Sequence, residues 1–372
     1  MSVVRQGALS NSLFPEEVVA RLRQGLLAWF SANARPLPWR EGYLPYQVWV
    51  SEIMLQQTQA ERGATYFSRW VARFPDVAAL AEASEEGVLK CWEGLGYYSR
   101  ARNLHAAAKR VVQAHGGELP DTLAALEALP GIGKYTARAI LSIAFQQDYP
   151  VVDGNVERLF ARLFAIDGAV KTTASQGLIW RLAEALLPPG QARAWNQALM
   201  EFGALVCSRG LPRCGLCPVT LLCKSFTTGT TAQRPVTGAT RKTIQVSLAA
   251  AVIVDERERV LVRQRPANVR WAGMWEFPNV ELGEGGEPQA VVAQLFQEQT
   301  GQKLGSHQPL PAVIHRYTKY QATVYPFLCH VPATVPVEQS CRMVSLDKLN
   351  ELAFSSGHRQ IIAGLPEFLR KR

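Results

Sequence analysis

The chain has no apolar run long enough to cross a bilayer. The longest, Leu248–Val254, falls far short of the roughly 20 residues a spanning helix needs. Met1–Glu17 lacks the unbroken apolar core of a secretory leader, being interrupted by Arg5, Asn11 and Pro15. Charged residues are sparse at 19% against 48% hydrophobic, which describes a folded chain rather than one too polar to collapse. The scarcer sign is negative: 31 Asp and Glu against 40 Lys and Arg leave a net charge of +9. That surplus favours a polyanionic partner such as nucleic acid, though a basic surface alone is also compatible with no such partner; given the short apolar runs, no membrane partner is expected. Cysteine is scarce as well, with seven residues, four of them close together. No disulfide scaffold is indicated, and a reducing cytoplasm is expected. No internal repeat of fixed period is present.

What is there falls into two grammars, as 372 residues exceed one ordinary core. From Glu16 to Lys224 apolar residues recur at three- and four-residue spacing, predicting helices over Val18–Phe30, Asp76–Leu89, Ala101–His115, Leu123–Leu129 and Ala192–Val206. Residues 225–243 are rich in Thr, Gly, Ser and Gln and read as a linker. Beyond it, Thr243–Val254 and Arg259–Arg265 read as neighbouring strands, Pro288–Gln299 as a helix, and Gln321–Val331 and Met343–Ser345 as further strands. The expected organisation is an all-α domain over 1–224 followed by an α+β domain over 244–372.

Three motifs carry chemistry. Cys207, Cys214, Cys217 and Cys223, spaced C-x6-C-x2-C-x5-C, place four soft ligands in one short segment. The spacing favours a [4Fe–4S] cluster over zinc but leaves both open, since a set of four thiolates also suits zinc. The turn Leu129-Pro-Gly-Ile-Gly-Lys-Tyr135 offers bare backbone at Gly131 and Gly133 ahead of a helix, where successive N–H groups can meet a phosphate. An ordinary helical corner would read the same. In Tyr46–Thr58, a helix puts Glu52 beside Val48, Trp49 and Leu55, so the carboxyl is expected to be desolvated and its pKa raised. Asp153, just ahead of another helix, is an expected N-cap that stays ionised.

Together, the Leu-Pro-Gly-Ile-Gly turn and the cysteine spacing resemble the iron–sulfur branch of the helix–hairpin–helix DNA glycosylase superfamily. Within it the Tyr46–Thr58 segment is similar to the MutY-type adenine glycosylases. Endonuclease III-type relatives carry a nucleophilic lysine at the second position after the hairpin, where this chain has Tyr135, with Lys134 one place earlier.

The resemblance implies a monofunctional enzyme that hydrolyses the N-glycosidic bond of adenine opposite 8-oxoguanine, and more weakly opposite guanine, in duplex DNA. Its catalytic set would be Glu52, Asp153, Tyr135 and Asn155, with Asn155 orienting Glu52 or the departing base. Arg35, Trp39, Arg40 and Gln197 would lie near the adenine, Tyr97 would be a wedge entering the duplex, and Gln57 would fill space by the opposite base. A [4Fe–4S] cluster on the four cysteines, a structural role for it, a cytoplasmic and nucleoid-associated location, and a monomer complete the expectation.

With Val260–Pro266 and Gly273–Pro278 fitting its early strands, residues 244–372 resemble a Nudix-like domain. Its metal-binding helix is depleted, Gln294–Gly301 keeping only Glu298 of the expected acidic group, so pyrophosphatase activity is not expected. A recognition loop that in many relatives reads Phe-Ser-His is here Tyr317-Thr318-Lys319. Alternatives are an endonuclease III-type glycosylase/lyase, a nucleotide pyrophosphatase fused to a DNA-binding module, and a non-catalytic damage sensor.

Overall fold

A computed structural model describes residues 14–238, 243–283, 285–331 and 340–369. Most of the Met1–Glu17 segment and residues 239–242 of the expected linker lie outside them. The chain divides into two compact units, one of residues 1–81 and 106–240, the other of residues 82–105 and 241–372.

The helices are α1 (Glu16–Asn33), α2 (Pro45–Leu55), α3 (Ala60–Arg73), α4 (Val77–Glu82), α5 (Glu85–Trp92), α6 (Ser99–His115), α7 (Leu123–Glu127), α8 (Lys134–Ile143), α9 (Gly154–Leu163), α10 (Thr173–Leu186), α11 (Ala192–Leu205), α12 (Lys224–Thr227), α13 (Pro288–Thr300) and α14 (Ser356–Leu369). The single helix expected over Asp76–Leu89 is two. Ser84 breaks it, its hydroxyl capping α5 by accepting from Gly87 N.

In the first unit α9 shows why these segments are helical. Val156, Leu159, Phe160 and Leu163 form one apolar stripe that packs with Leu22 and Leu26 of α1 and Trp195 and Phe202 of α11. Cys207 and Cys223 close the same core. The expected linker is not free chain where it is described. Ser225 is fully buried, Arg162 donates to the carbonyls of Thr231 (3.2 Å) and Arg234 (2.9 Å), and Val170 N donates to Val236 O.

The second unit is a mixed sheet in the order β3-β2-β1-β7-β5, with β4 on β1, β6 on β7 and β8 on β2. The strands are β1 (Ile244–Asp255), β2 (Arg259–Gln264), β3 (Trp275–Glu276), β4 (Asn279–Glu281), β5 (His307–Pro309), β6 (Val313–Tyr317), β7 (Tyr320–Val331) and β8 (Cys341–Ser345). β1 and β7 run parallel from Ile244↔Tyr320 to Asp255↔Val331. From Ala249 onward β1 is buried on both faces, which its continuous apolar run requires. Ala250, Val252 and Val254 meet Phe277, Phe354 and Leu365, while Ala249, Ala251 and Ile253 meet Leu295 and Phe296 of α13. Pro288 opens α13, and Gly301, at φ +70°, stops it by donating to Gln297 O.

Residues 82–105 pack with this sheet unit. Trp275 Nε1 donates to Glu86 (2.9 Å), Arg102 donates to Ala272 O (2.8 Å), and Arg359 pairs with Glu93 (2.7 Å). These partners lie between 170 and 266 residues apart in sequence, beyond the reach of any local pattern.

Candidate active site

α2 begins at Pro45 and carries Glu52, which is 6% exposed among Val48, Trp49 and Ile53. Tyr135, in the first turn of α8, donates its hydroxyl to Glu52 Oε2 at 2.9 Å and also meets Met200 Sδ at 3.5 Å. Burial pushes the Glu52 carboxyl up to about 7, with Asp153's charge adding to the rise while the Tyr135 bond and Arg40 oppose it. Burial, followed by the neighbouring Glu52 and Asp153, likewise drives the Tyr135 phenol well above its usual value.

Asp153 caps α9. Its Oδ1 accepts from Asn155 N and Val156 N, both at 2.8 Å, and its Oδ2 from Asn155 Nδ2 at 2.7 Å. The expected oppositely tuned carboxylates are not what the fold provides, because burial raises Asp153 too, outweighing its N–H donors and Arg158. What separates the pair is donor supply, three hydrogen bonds on Asp153 against one from Tyr135 on Glu52. Asn155 does not orient Glu52. Its amide bridges Asp153 and Arg158, accepting from Arg158 Nη2 at 2.8 Å. α11 crosses so close here that a Cβ on Gly203 would lie 2.8 Å from Asn155 Cβ and 2.9 Å from its carbonyl oxygen, so only glycine fits.

Between Asp153 and the cysteines run two buried arginines of α9. Arg158 donates to the carbonyls of Gly203 (2.6 Å) and Cys207 (2.8 Å). Arg162 donates to Ser208 O (2.8 Å), Gly210 O (3.0 Å) and Cys207 Sγ (3.5 Å). Cys207, Cys214, Cys217 and Cys223 line one cavity with Arg162 and Phe202. The donor set is wholly soft, and a cation already faces the Cys207 sulfur, which suits thiolate ligands. Arg209, Arg213 and Lys224 surround it on the exposed surface. Cys91, Cys329 and Cys341 are not among the residues that line it.

In the hairpin, Gly131 has φ +76°, a conformation that demands glycine. Gly133 does not share it. At φ −93°, ψ 178° it is extended backbone at the N-cap of α8, and a Cβ there would meet nothing within 4 Å. The fold itself leaves that position open to any residue, and only an approaching group would make bare backbone useful.

Arg35, Arg40 and Gln197 come together around a residue the sequence did not single out. Glu201 is 3% exposed and takes Arg35 in a fork, Nε to Oε1 at 2.8 Å and Nη2 to Oε2 at 2.9 Å. Arg40 adds Nη2 to Oε2 at 3.2 Å and donates Nε to Gln197 Oε1 at 3.0 Å. Burial would raise the Glu201 carboxyl, but the Arg35 and Arg40 bonds more than offset it and hold it below its usual value. Its one sequence signal is position, one helical turn beyond Gln197. Trp39 is 7% exposed and packs edge-on to Phe67 rather than presenting a free ring. Glu201→Leu should destabilise the protein by about 3 kcal/mol, because two arginines lose the charge that compensates their burial; urea unfolding would measure it.

Gln57 and Tyr97, in separate units, are both non-glycine residues at positive φ (+60° and +48°) with exposed side chains. Such conformations cost about 1 kcal/mol or more and mark places where a side chain is presented. Tyr98, by contrast, is core, 5% exposed with its hydroxyl accepting from Gly94 N. In the second unit Thr318 sits at φ +48° in the β6–β7 turn, exposed together with Lys319. Tyr317 meets Trp271 edge-on at 4.5 Å, stacks on Tyr320 at 5.4 Å and accepts from Arg270 at 3.2 Å. Lys319 Nζ lies over the Tyr320 ring. Glu298 is on the exposed side of α13, accepting from Gln294.

A glycine hairpin ahead of α8, a buried acid on α2 and a capped aspartate on α9 define a base-excision DNA glycosylase of the helix–hairpin–helix class, joined to a Nudix-like unit. Residues 50–184 match the HhH-GPD superfamily base excision DNA repair proteins, and residues 249–364 match the NUDIX domain. The chain is 36% identical to the adenine DNA glycosylase of Mus musculus over 347 residues, covering 79% of this chain and 66% of that one. With the Homo sapiens adenine DNA glycosylase it shares 32% over 420 residues, covering 96% and 77%. Among solved structures it is similar to a thermostable thymine-DNA glycosylase, at 27% identity and a TM-score of 0.53, over 57% of this chain and 98% of that one. The chain belongs to the adenine DNA glycosylase family, and it spans just under two thirds of its mouse relative's length. No helix among the described residues is long and apolar enough to cross a membrane.

Proposed function

We propose that the protein excises adenine from duplex DNA where adenine stands opposite 8-oxoguanine, and more weakly opposite guanine, leaving an abasic site. The observation that carries this reading is Glu52, a buried carboxyl pushed up to about 7 and held by Tyr135 within electrostatic reach of Asp153. A carboxyl with that value still holds its proton over much of the neutral range and can surrender it to a base. Glu52 would give its proton to adenine N7, the glycosidic bond would break, and Asp153 would offset the cationic charge left on the sugar. Water then completes hydrolysis. Tyr135 has no amine to form a Schiff base, so the enzyme is monofunctional. The base is extruded first, at a cost of roughly a few kcal/mol; Tyr97 would enter the duplex as a wedge, and Gln57 would fill space beside the opposite base.

Backbone at Gly131 and Gly133 would hold a phosphate at the N-terminus of α8, and Arg40 and Gln197 would face the adenine. Cys207, Cys214, Cys217 and Cys223 would hold a [4Fe–4S] cluster, which when bound fixes the 207–223 segment and its basic surface. Thr318 would bond the lesion through its hydroxyl, flanked by Tyr317 and Lys319. The protein acts as a cytoplasmic, nucleoid-associated monomer.

Single-turnover release from duplexes with adenine opposite 8-oxoguanine, guanine and thymine tests this. The expected order is fast, slower and none, with no borohydride-trapped adduct. Release from no duplex, or a trapped adduct, would overturn the reading. Thr318→Ala should bring the 8-oxoguanine rate down towards the guanine rate.

A further inference from the structure

We infer that the loop bearing Tyr97 is a fixture of the lesion-reading unit, and that Glu93 is the positioning residue through which the Nudix-like residues set it. The inference rests on the proposed roles of Tyr97 as wedge and Thr318 as lesion contact, and adds the path between them.

Glu93 ends α5 four residues before Tyr97. Its Oε1 accepts from Phe354 N at 2.9 Å and from Arg359 Nε at 2.9 Å. Its Oε2 pairs with Lys90 Nζ at 2.5 Å, and Lys90 also donates to Leu352 O at 3.2 Å. One carboxylate thus fastens the end of α5 to the segment that leads into α14 and to α14 itself. Charge-assisted bonds of this kind are roughly twice as strong as neutral ones.

From Glu93 to Tyr97 the loop is braced internally. Trp92 Nε1 donates to Gly96 O at 3.1 Å, Arg100 Nη2 donates to the carbonyls of Leu95 and Gly96, and the Arg100 guanidinium lies over both the Trp92 and Tyr97 rings. Movement at Glu93 is therefore carried to the wedge rather than absorbed on the way.

The other end of the path is equally tight. Two residues before Arg359, Gly357 lies directly against the His315 ring, where a Cβ would come within 2.4 Å of Nδ1. His315 is on β6, 5.3 Å ring to ring from Tyr317, the residue before Thr318. The first turn of α14 thus touches the strand that presents the lesion-reading turn and the carboxylate that anchors the wedge loop. A lesion bonded at Thr318 would shift or stiffen β6, and α14 would pass this to Tyr97 through Glu93.

The test is single-turnover adenine release by the full protein from duplexes with adenine opposite 8-oxoguanine and opposite guanine. It compares wild type, Glu93→Gln, Thr318→Ala and the double variant, with thermal melting alongside. Glutamine keeps an acceptor for Phe354 N–H and loses the charge that holds Arg359 and Lys90. Expected is a loss of about tenfold in the preference for 8-oxoguanine, through the 8-oxoguanine rate alone, with no further loss when Thr318→Ala is added. Arg359→Gln attacks the pair from the other side and should do the same, so the test stands even if Glu93→Gln misfolds. Equal falls on both duplexes, an unchanged preference, or additive losses in the double variant would each overturn the inference while leaving the proposed function intact. No preference in the wild type would overturn the lesion reading, and the inference with it.

Discussion

Glu52→Gln should lower single-turnover adenine release by about 10²–10⁴-fold while leaving duplex binding nearly unchanged. Glutamine matches the shape of the side chain and still accepts from the Tyr135 hydroxyl, but it has no proton to give. The same variant should be more stable than wild type in mildly alkaline solution. Glu52's folded value of about 7 lies above its ordinary 4.5, so the folded state binds this proton more tightly than the unfolded chain. The stability from that proton is fully present below about 4.5, fades as pH rises to about 7, and is gone above it. Glutamine never acquires the buried charge. Its melting temperature should therefore exceed the wild-type value at about pH 8 and converge with it in acid. A variant that is inactive and also less stable in alkali would point to damage rather than lost chemistry.

Asp153→Asn should cost about 10²–10³-fold in rate with little loss of fold. Asparagine is about as good an N-cap as aspartate, so the bonds to Asn155 N and Val156 N survive. The amide does compete with Asn155 Nδ2 for orientation, a loss of about 1 kcal/mol, visible in melting. What disappears is the negative charge beside the sugar. Retained rate in a folded variant would remove electrostatic stabilisation from Asp153 and leave it a cap.

Glu52, Asp153, Gly131 and the four cysteines were legible in the sequence because each announces itself locally, by apolar neighbours, a following helix, a turn or close spacing. Lysine's absence at Tyr135 was equally local. Glu201 was not legible, since its partner Arg35 lies 166 residues away and a glutamate on a helix looks like any other. Tertiary packing decided the remainder. Ser84 split an apparently continuous helix, Gly133 proved extended, and the polar stretch after Cys223 packs on Arg162. Residues 82–105 joined the sheet unit through Glu86, Glu93 and Arg102. The pattern did not mark β4 to β6, α3, α10, α12 or α14, the strands being only three to five residues long.

The most direct test of the central claim is the pH dependence of single-turnover adenine release opposite 8-oxoguanine. A neutral, buried Glu52 as proton donor predicts a rate that is level in mild acid and falls tenfold per pH unit above about 7, the fall vanishing in what activity Glu52→Gln retains. A wild-type rate that is flat through this range, or that rises with pH, would contradict it.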